Sequence, residues 1–299
     1  MSKIKFSLVI PVAPWRNPEI LKSLSTLKYD KNKYEIIVER GKNTSENRNK
    51  GIGKALGEII VFLDDDAIIK EDYLEKLEKF LTQHPNIDVV GGPQLSPKPK
   101  NMFERFSGMV LASNFGAFRV NKRYKETKLE TNANEIYLTS ANLCVKKIIF
   151  NRIGGFNKNL WPGEDPEFIV RAKKAGMRIA YNPELIVYHK RRGDFAGYCK
   201  QIFKYGFTRP RLNRISGETK FFFLIPMIFS IYFLLLPLLS LINIIFIIPL
   251  IAYLLLSVIF SVYDSARNGS VTSFFVLPFL YLFTHLSYGI GMLVGYFAR

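Results

Sequence analysis

The chain has 299 residues, 48% of them hydrophobic, and a formal net charge of +17 from 42 Lys and Arg against 25 Asp and Glu. Its two cysteines, Cys144 and Cys199, exclude a disulfide framework. The positive charge comes with no zinc-finger spacing and no aromatic-basic sheet motif, so a nucleic-acid partner is not expected.

The opening MSKIKFSLVIPV has too short an apolar run for a secretory signal and stops at Pro11. It reads as a first strand over residues 4–12, with a helix predicted over 18–27 and a second strand over 34–39. A helix follows over 45–56, then a strand over 58–63, a helix over 72–82 and a strand over 88–91. Beyond them the pattern predicts a helix around 102–111, a basic polar loop, a strand over 136–145, a helix over 166–175 and a strand over 178–181. This is a βαβ rhythm. Runs such as EIIVFL lack polar alternation, as expected of strands covered on both faces of a mostly parallel sheet.

Residues 221–263 carry no charged side chain, and a span needs about 20 apolar residues. We expect three transmembrane helices, over 221–239, 243–263 and 274–297, with a turn over Ser240 to Asn243, just after Pro237. His285 in the third reads as an interhelical hydrogen-bonding group, and Gly291-x-x-x-Gly295 as a place for close helix packing. The stretch from Lys190 to Lys220 is densely basic against only Asp194 and Glu218. Such a segment favours the cytoplasmic side and anionic head groups, and its aromatics suit a helix lying in the interface. The expected organisation is a cytosolic domain over 1–192, a basic amphipathic segment over 193–220 and a membrane domain over 221–299. The protein is placed in the cell membrane as a multi-pass protein, its domain facing the cytoplasm.

In open α/β sheets, ligands bind beyond the carboxyl ends of the strands. Here those ends are Pro11-Val12-Ala13, Glu39 and Asp64-Asp65-Asp66. Three adjacent carboxylates repel one another. Strand termination accounts for one or two of them, while a hard cation such as Mg²⁺ or Mn²⁺, shared with substrate phosphates, accounts for all three.

The segments FSLVIPV, YEIIVE, SENRNKGIGKALGEIIVFLDDD, TSANLCVKKIIFNRIGGF and WPGEDPEFIVRAKKAG resemble, in order and spacing, the family 2 glycosyltransferases of the GT-A fold. The resemblance implies a Rossmann-like α/β domain followed by membrane helices. It implies inverting, metal-dependent transfer of a sugar from a nucleotide-sugar. By it, Asp64 and Asp66 form the metal and ribose pair, with Asp65 beside them. Arg48 and Asn49 match an Arg-Asn element near the nucleotide, and Glu39 stands where the family usually has Asp. The chain departs from the family in running from Glu39 through RGKNTSE straight to Arg48, without the usual intervening helix and strand.

In WPGEDPEF, Asp165 with Pro166 reads as a helix cap and first helical position. The resemblance makes Asp165 the catalytic base, with Glu164 beside it, and the two roles are compatible. Trp161 either stacks on an acceptor sugar or fills the core. His189 is either a third metal ligand or a loop histidine. Arg191 and Arg192 suit diphosphate oxygens. Gln201 faintly matches an element of processive members whose Arg and Trp are here Lys204 and Tyr205. The expected acceptor is membrane-associated, such as a polyprenyl-linked phosphate or glycan. The alternatives are a processive polysaccharide synthase or its subunit, and an inactive basic membrane-surface scaffold.

Overall fold

The computed structural model describes residues 3–160 and 162–298. In chain order the elements begin with β1 (Phe6–Val12), α1 (Leu21–Leu24), β2 (Tyr34–Arg40), α2 (Thr44–Lys54), β3 (Ile59–Leu63), β4 (Ala67–Ile69) and α3 (Tyr73–Gln83). Then come β5 (Val89–Gly91), β6 (Gln94–Leu95), α4 (Met102–Ala112), β7 (Asn142–Lys146), α5 (Ile148–Ile153) and α6 (Glu164–Lys174). The chain continues through β8 (Ile179–Tyr181), β9 (Val187–His189), α7 (Phe195–Ser216), α8 (Ile225–Ile242), α9 (Ile248–Arg267) and α10 (Val271–Phe297). They form two compact units: Met1–Pro97 with Lys122–Lys190, and Lys98–Asn121 with Arg191–Arg299.

The first unit is built on a sheet of order β2-β1-β3-β7-β5-β8. Only β7 runs antiparallel to its neighbours β3 and β5; the other pairs are parallel. Every residue of β1 and β3 is buried, as their unbroken apolar runs require. α3 buries the stripe Tyr73, Leu74, Leu77 and Phe80 at helical spacing. α2 differs, because its buried residues are Ser45, Asn47, Arg48 and Gly51. A Cβ at Gly51 would lie 2.3 Å from Val9 Cγ1, so this glycine lets α2 lie close on β1. A second, three-stranded sheet has the order β4-β9-β6.

Two predicted elements are shorter than expected. The helix over 18–27 contracts to one turn, α1. There Ser23, Ser25 and Thr26 turn their hydroxyls back onto the carbonyls of Ile20, Lys22 and Ser23, at 3.0, 2.8 and 2.9 Å, a local bonding that competes with helix propagation. The strand over 136–145 reduces to β7, preceded by a turn in which Asn142 N donates to Thr139 O at 3.1 Å.

In the second unit, Phe221–Ile242, Ile244–Arg267 and Val271–Phe297 are long and apolar enough to cross a membrane. The break falls at Asn243, whose side chain accepts from Ile245 N at 2.9 Å. α7 lies along α10 through glycines. A Cβ at Gly206 would sit 2.0 Å from Tyr288 O, at Gly291 2.2 Å from Phe203 O, and at Gly295 2.1 Å from Phe207 O. The Gly291-x-x-x-Gly295 pair thus serves the α7–α10 seam. Gly291→Leu is expected to open it at a cost of about 2–3 kcal/mol, read as a lower melting temperature in detergent. A variant that melts like the parent would refute the seam.

His285 bridges elements as its position suggested. Its Nδ1 meets Tyr253 OH at 2.9 Å and its Nε2 meets the Phe115 carbonyl at 3.0 Å.

Candidate active site

β3 carries the chain outward to Asp64, and a tight turn, with Ala67 N donating to Asp64 O at 3.1 Å, reverses it into β4. β4 pairs antiparallel with β9 in the register Ala67↔His189, which sets the histidine against the aspartates. His189 Nε2 lies 3.3 Å from Asp64 Oδ2 and 3.1 Å from Asp66 Oδ1. Its Nδ1 is 3.0 Å from the Lys190 carbonyl, an acceptor, so Nδ1 carries the proton. A neutral ring would then turn its Nε2 lone pair towards two carboxylates. Only a cation at that point, a proton or a metal, makes the arrangement favourable.

Asp64, Asp66 and His189 each offer a ligand atom within 4.8 Å of the others. Two carboxylates and an imidazole suit Mn²⁺ or Mg²⁺ completed by phosphate oxygens, so the residues fit such an ion.

Without an ion, the cluster holds a proton. Burial works against a charged His189, but Asp64 and Asp66 outweigh it and push its pKa up to about 9. Burial likewise opposes the charged forms of Asp64 and Asp66, yet His189 holds both below the usual carboxylate range, helped by Arg48 at the first and Arg16 at the second. This ion pair stabilises the metal-free fold fully below the unfolded value near 6.5, and the contribution is lost as pH rises through about 9. A metal must displace that proton. We therefore expect Mn²⁺ affinity to climb about tenfold per pH unit below pH 9, one proton being released per ion. Calorimetry in buffers of different ionisation enthalpy measures this, and a flat pH profile would remove His189 from the site.

Arg16 is a residue that the sequence did not single out. From the loop after β1 its guanidinium forks onto Asp65 Oδ1 at 2.9 Å and Asp66 Oδ2 at 2.8 Å. Its carbonyl accepts from Arg40 Nη1 at 2.9 Å. Asp65 is buried, with Oδ2 unpartnered among the described residues. Burial raises its pKa to about 6, Arg16 opposing and the neighbouring aspartates adding.

Arg48, on the buried polar face of α2, joins the aspartates to the start of α6. Its Nη2 donates to Asp64 Oδ1 at 3.1 Å and its Nη1 to Glu164 Oε1 at 2.8 Å, with Asp165 Oδ1 3.7 Å away. Burial opposes its charge, but Asp165, Asp64 and Glu164 more than compensate. Glu164 is pushed well up, by burial and then by Asp165, with Arg48 opposing. It also accepts from Gly163 N at 3.0 Å. The expected cap at Asp165 is not formed. α6 starts two residues earlier, capped by Gly163 at φ 129°, and no side chain makes the cap bond. A positive φ of this kind suits glycine alone. Asp165 is freed from capping and keeps a fifth of its side chain exposed, against 6% for Glu164.

The other candidates take less direct places. Asn49 spends both ends of its amide on Phe156, donating to the carbonyl and accepting from the N–H, each at 2.8 Å. A Cβ at Gly155 would fall 2.2 Å from Asn49 Oδ1, so the glycine is needed for this anchor. Arg171 holds the same loop through the carbonyls of Ile153 and Gly155 and pairs with Glu167. Glu39 ends β2 beside Pro11, buried, with Lys54 Nζ at 2.6 Å. Val12 is buried at the end of β1 and Ala13 begins the loop that carries Arg16. Trp161 lies outside the described residues. Arg191, Arg192 and Gln201 belong to the second unit.

The sequence profile of the glycosyl transferase family group 2 matches residues 59–293. The chain belongs to this family. The glycosyltransferase AglE of Haloferax volcanii is 28% identical over 189 residues, 63% of this chain and 57% of its own length. The glucosyl-dolichyl phosphate glucuronosyltransferase of the same organism is 24% identical over 164 residues, 51% of this chain and 49% of its own. The chain thus spans about half the length of these relatives. The mannosyltransferase PcManGT of Pyrobaculum calidifontis, solved with GDP-Man and Mn²⁺, superposes with a TM-score of 0.53 at 16% identity, over 73% of this chain and 66% of its own. That likeness shows the GT-A fold of the first unit.

Proposed function

We propose that the protein transfers a sugar, with inversion at the anomeric carbon, from a nucleotide-sugar to a lipid-linked acceptor in glycoconjugate assembly. The observation that carries this reading is one buried arginine, Arg48, bonded at once to the metal-site carboxylate Asp64 and to Glu164 at the foot of α6. Donor and acceptor chemistry then meet across a single side chain. Asp64, Asp66 and His189 would hold Mg²⁺ or Mn²⁺, which neutralises charge on the leaving diphosphate. Asp165 accepts the acceptor hydroxyl proton, because it is the accessible carboxylate of the pair. Glu164, saturated by Arg48 and Gly163 N, orients the arginine. A lipid-linked acceptor is supported by the three apolar helices and by the name of the dolichyl phosphate relative. The basic stretch before the first span supports a multi-pass protein whose catalytic unit faces the cytoplasm.

The test is a panel of UDP- and GDP-sugars offered with Mn²⁺ or Mg²⁺ to the detergent-purified protein, with an alcohol and a polyprenyl phosphate as acceptors. One donor should turn over, and NMR of the product should show an inverted anomeric centre. Asp165→Asn should slow transfer to the alcohol about 10²–10⁴-fold and spare transfer to the phosphate, which has no proton to lose. A folded protein that binds no donor with either metal would leave the scaffold as the better account.

A further inference from the structure

The second unit contains a pair of arginines that the transfer chemistry does not use. Arg209 of α7 lies with its guanidinium carbon 3.7 Å from the centre of the Phe223 ring, and its Nε donates to Tyr288 OH at 3.1 Å. Arg119 lies 5.9 Å from the centre of the adjoining Phe222 ring. The two rings are themselves in contact, centroids 4.2 Å apart, and Phe118 packs on Phe222 at 5.8 Å. Phe118 holds φ at 45°, which a bulky residue rarely accepts, and this backbone presents both Phe118 and Arg119 to the platform. Phe223 is buried, while Arg119 is exposed and Arg209 half-buried.

Cationic side chains near a membrane often only rest their stems on apolar surface. Arg209 is held more definitely, and Arg119 lies at the rim of the same platform. A guanidinium stacked on a ring is fixed in plane and keeps its edge N–H donors free. With Nε committed to Tyr288, Arg209 still offers its terminal fork. Among the described residues neither arginine makes an ion pair, nor does Glu218, the nearest carboxylate in sequence. The platform lies at the first residues of Phe221–Ile242, a helix long and apolar enough to cross a membrane, and the ends of such a span lie at the lipid head groups. Two positive forks at that depth match a phosphate monoester, which carries about −1.5 to −2 charge near neutral pH and three acceptor oxygens, better than a singly charged diester.

We propose that Arg119 and Arg209, on the Phe222–Phe223 platform, bind the phosphate monoester head group of a membrane lipid and so select a polyprenyl phosphate as the acceptor. This rests on the transferase reading for its purpose, and its own readout is binding. The full chain in phosphatidylcholine nanodiscs is titrated with a polyprenyl phosphate and, separately, with phosphatidylglycerol. The monoester should bind about tenfold or more tightly than the diester, and Arg119→Gln with Arg209→Gln should weaken it about 30-fold. Mn²⁺ binding, measured by calorimetry, should not change and shows that the variant is folded. Tyr288→Phe, which removes only the partner of Nε, should give an intermediate loss. Equal binding of monoester and diester, or a double variant that binds like the parent, overturns the proposal. Arginine-dependent binding without transfer from any donor would leave the site standing and sink the transferase reading instead.

Discussion

Asp66→Asn is expected to remove metal-dependent donor binding and lower kcat/KM by about 10³-fold or more, close to 4 kcal/mol, while leaving the fold intact. The intact fold follows from the partners of Asp66. An amide can turn its oxygen to Arg16, and Asp64 still faces His189, so the main contacts around the turn persist. What it cannot replace is the negative charge and the second ligand oxygen. The same substitution should bring the pKa of His189 down from about 9, because one of the two carboxylates that raise it is gone. Mn²⁺ calorimetry and a histidine NMR titration measure the two effects on one sample. Metal-dependent donor binding by the variant would show that the ion is held elsewhere.

Arg48→Met should be destabilising as well as inactive. Arg48 is buried, and its removal leaves Glu164 and Asp165 facing each other without a cation and Asp64 with His189 alone. Breaking a buried pair in this way costs about 3–5 kcal/mol, which lowers Tm by about 10 °C in a unit of this size. The loss should depend on pH, with a definite sign. Glu164 is raised in the folded protein, so folding takes up protons there, and stability falls as pH rises above the unfolded value near 4.3. Without the opposing charge of Arg48 that slope steepens, so the deficit should be larger at pH 8 than at pH 5.5. Arg48→Lys should recover part of the stability, since one ammonium cannot fork onto both Asp64 and Glu164. A methionine variant as stable as the parent at pH 8 would show that the arginine is not the clamp described here.

The strands were legible because β1 and β3 are continuous apolar runs, and DDD stood out because three like charges need a counter-ion. Arg48 was legible by position, but its role was not. Whether an arginine meets a nucleotide or three carboxylates depends on α6 arriving beside α2, which no local pattern encodes. Arg16 was invisible for a similar reason: a single cation in a polar loop has no periodicity, and its meaning comes from Asp65 and Asp66 folding beneath it. β4 and β6 are too short to carry a strand signature, although β4 pairs with β9 and so sets His189 against the aspartates. Asp165 was read as a cap from the Asp-Pro pair, and the helix starts earlier because Gly163 adopts a backbone that no other residue favours.

The membership of Lys98–Asn121 in the second unit sets an order of synthesis. α4 buries Phe106, Met109 and Val110, and packs on α10; Phe115 stacks on Phe260 of α9 at 5.1 Å. Those partners are translated after every element of the first unit. The strands on either side of the excursion can pair as soon as β9 has left the ribosome, while α4 waits with an apolar face bare until α10 is made. A ribosome-bound chain halted near residue 220 should therefore be cut by protease within 98–121 and resist elsewhere in its catalytic unit, and the released protein should resist at both. For a stretch of translation, the chain carries a folded first unit beside a helix whose apolar face is still unsheltered.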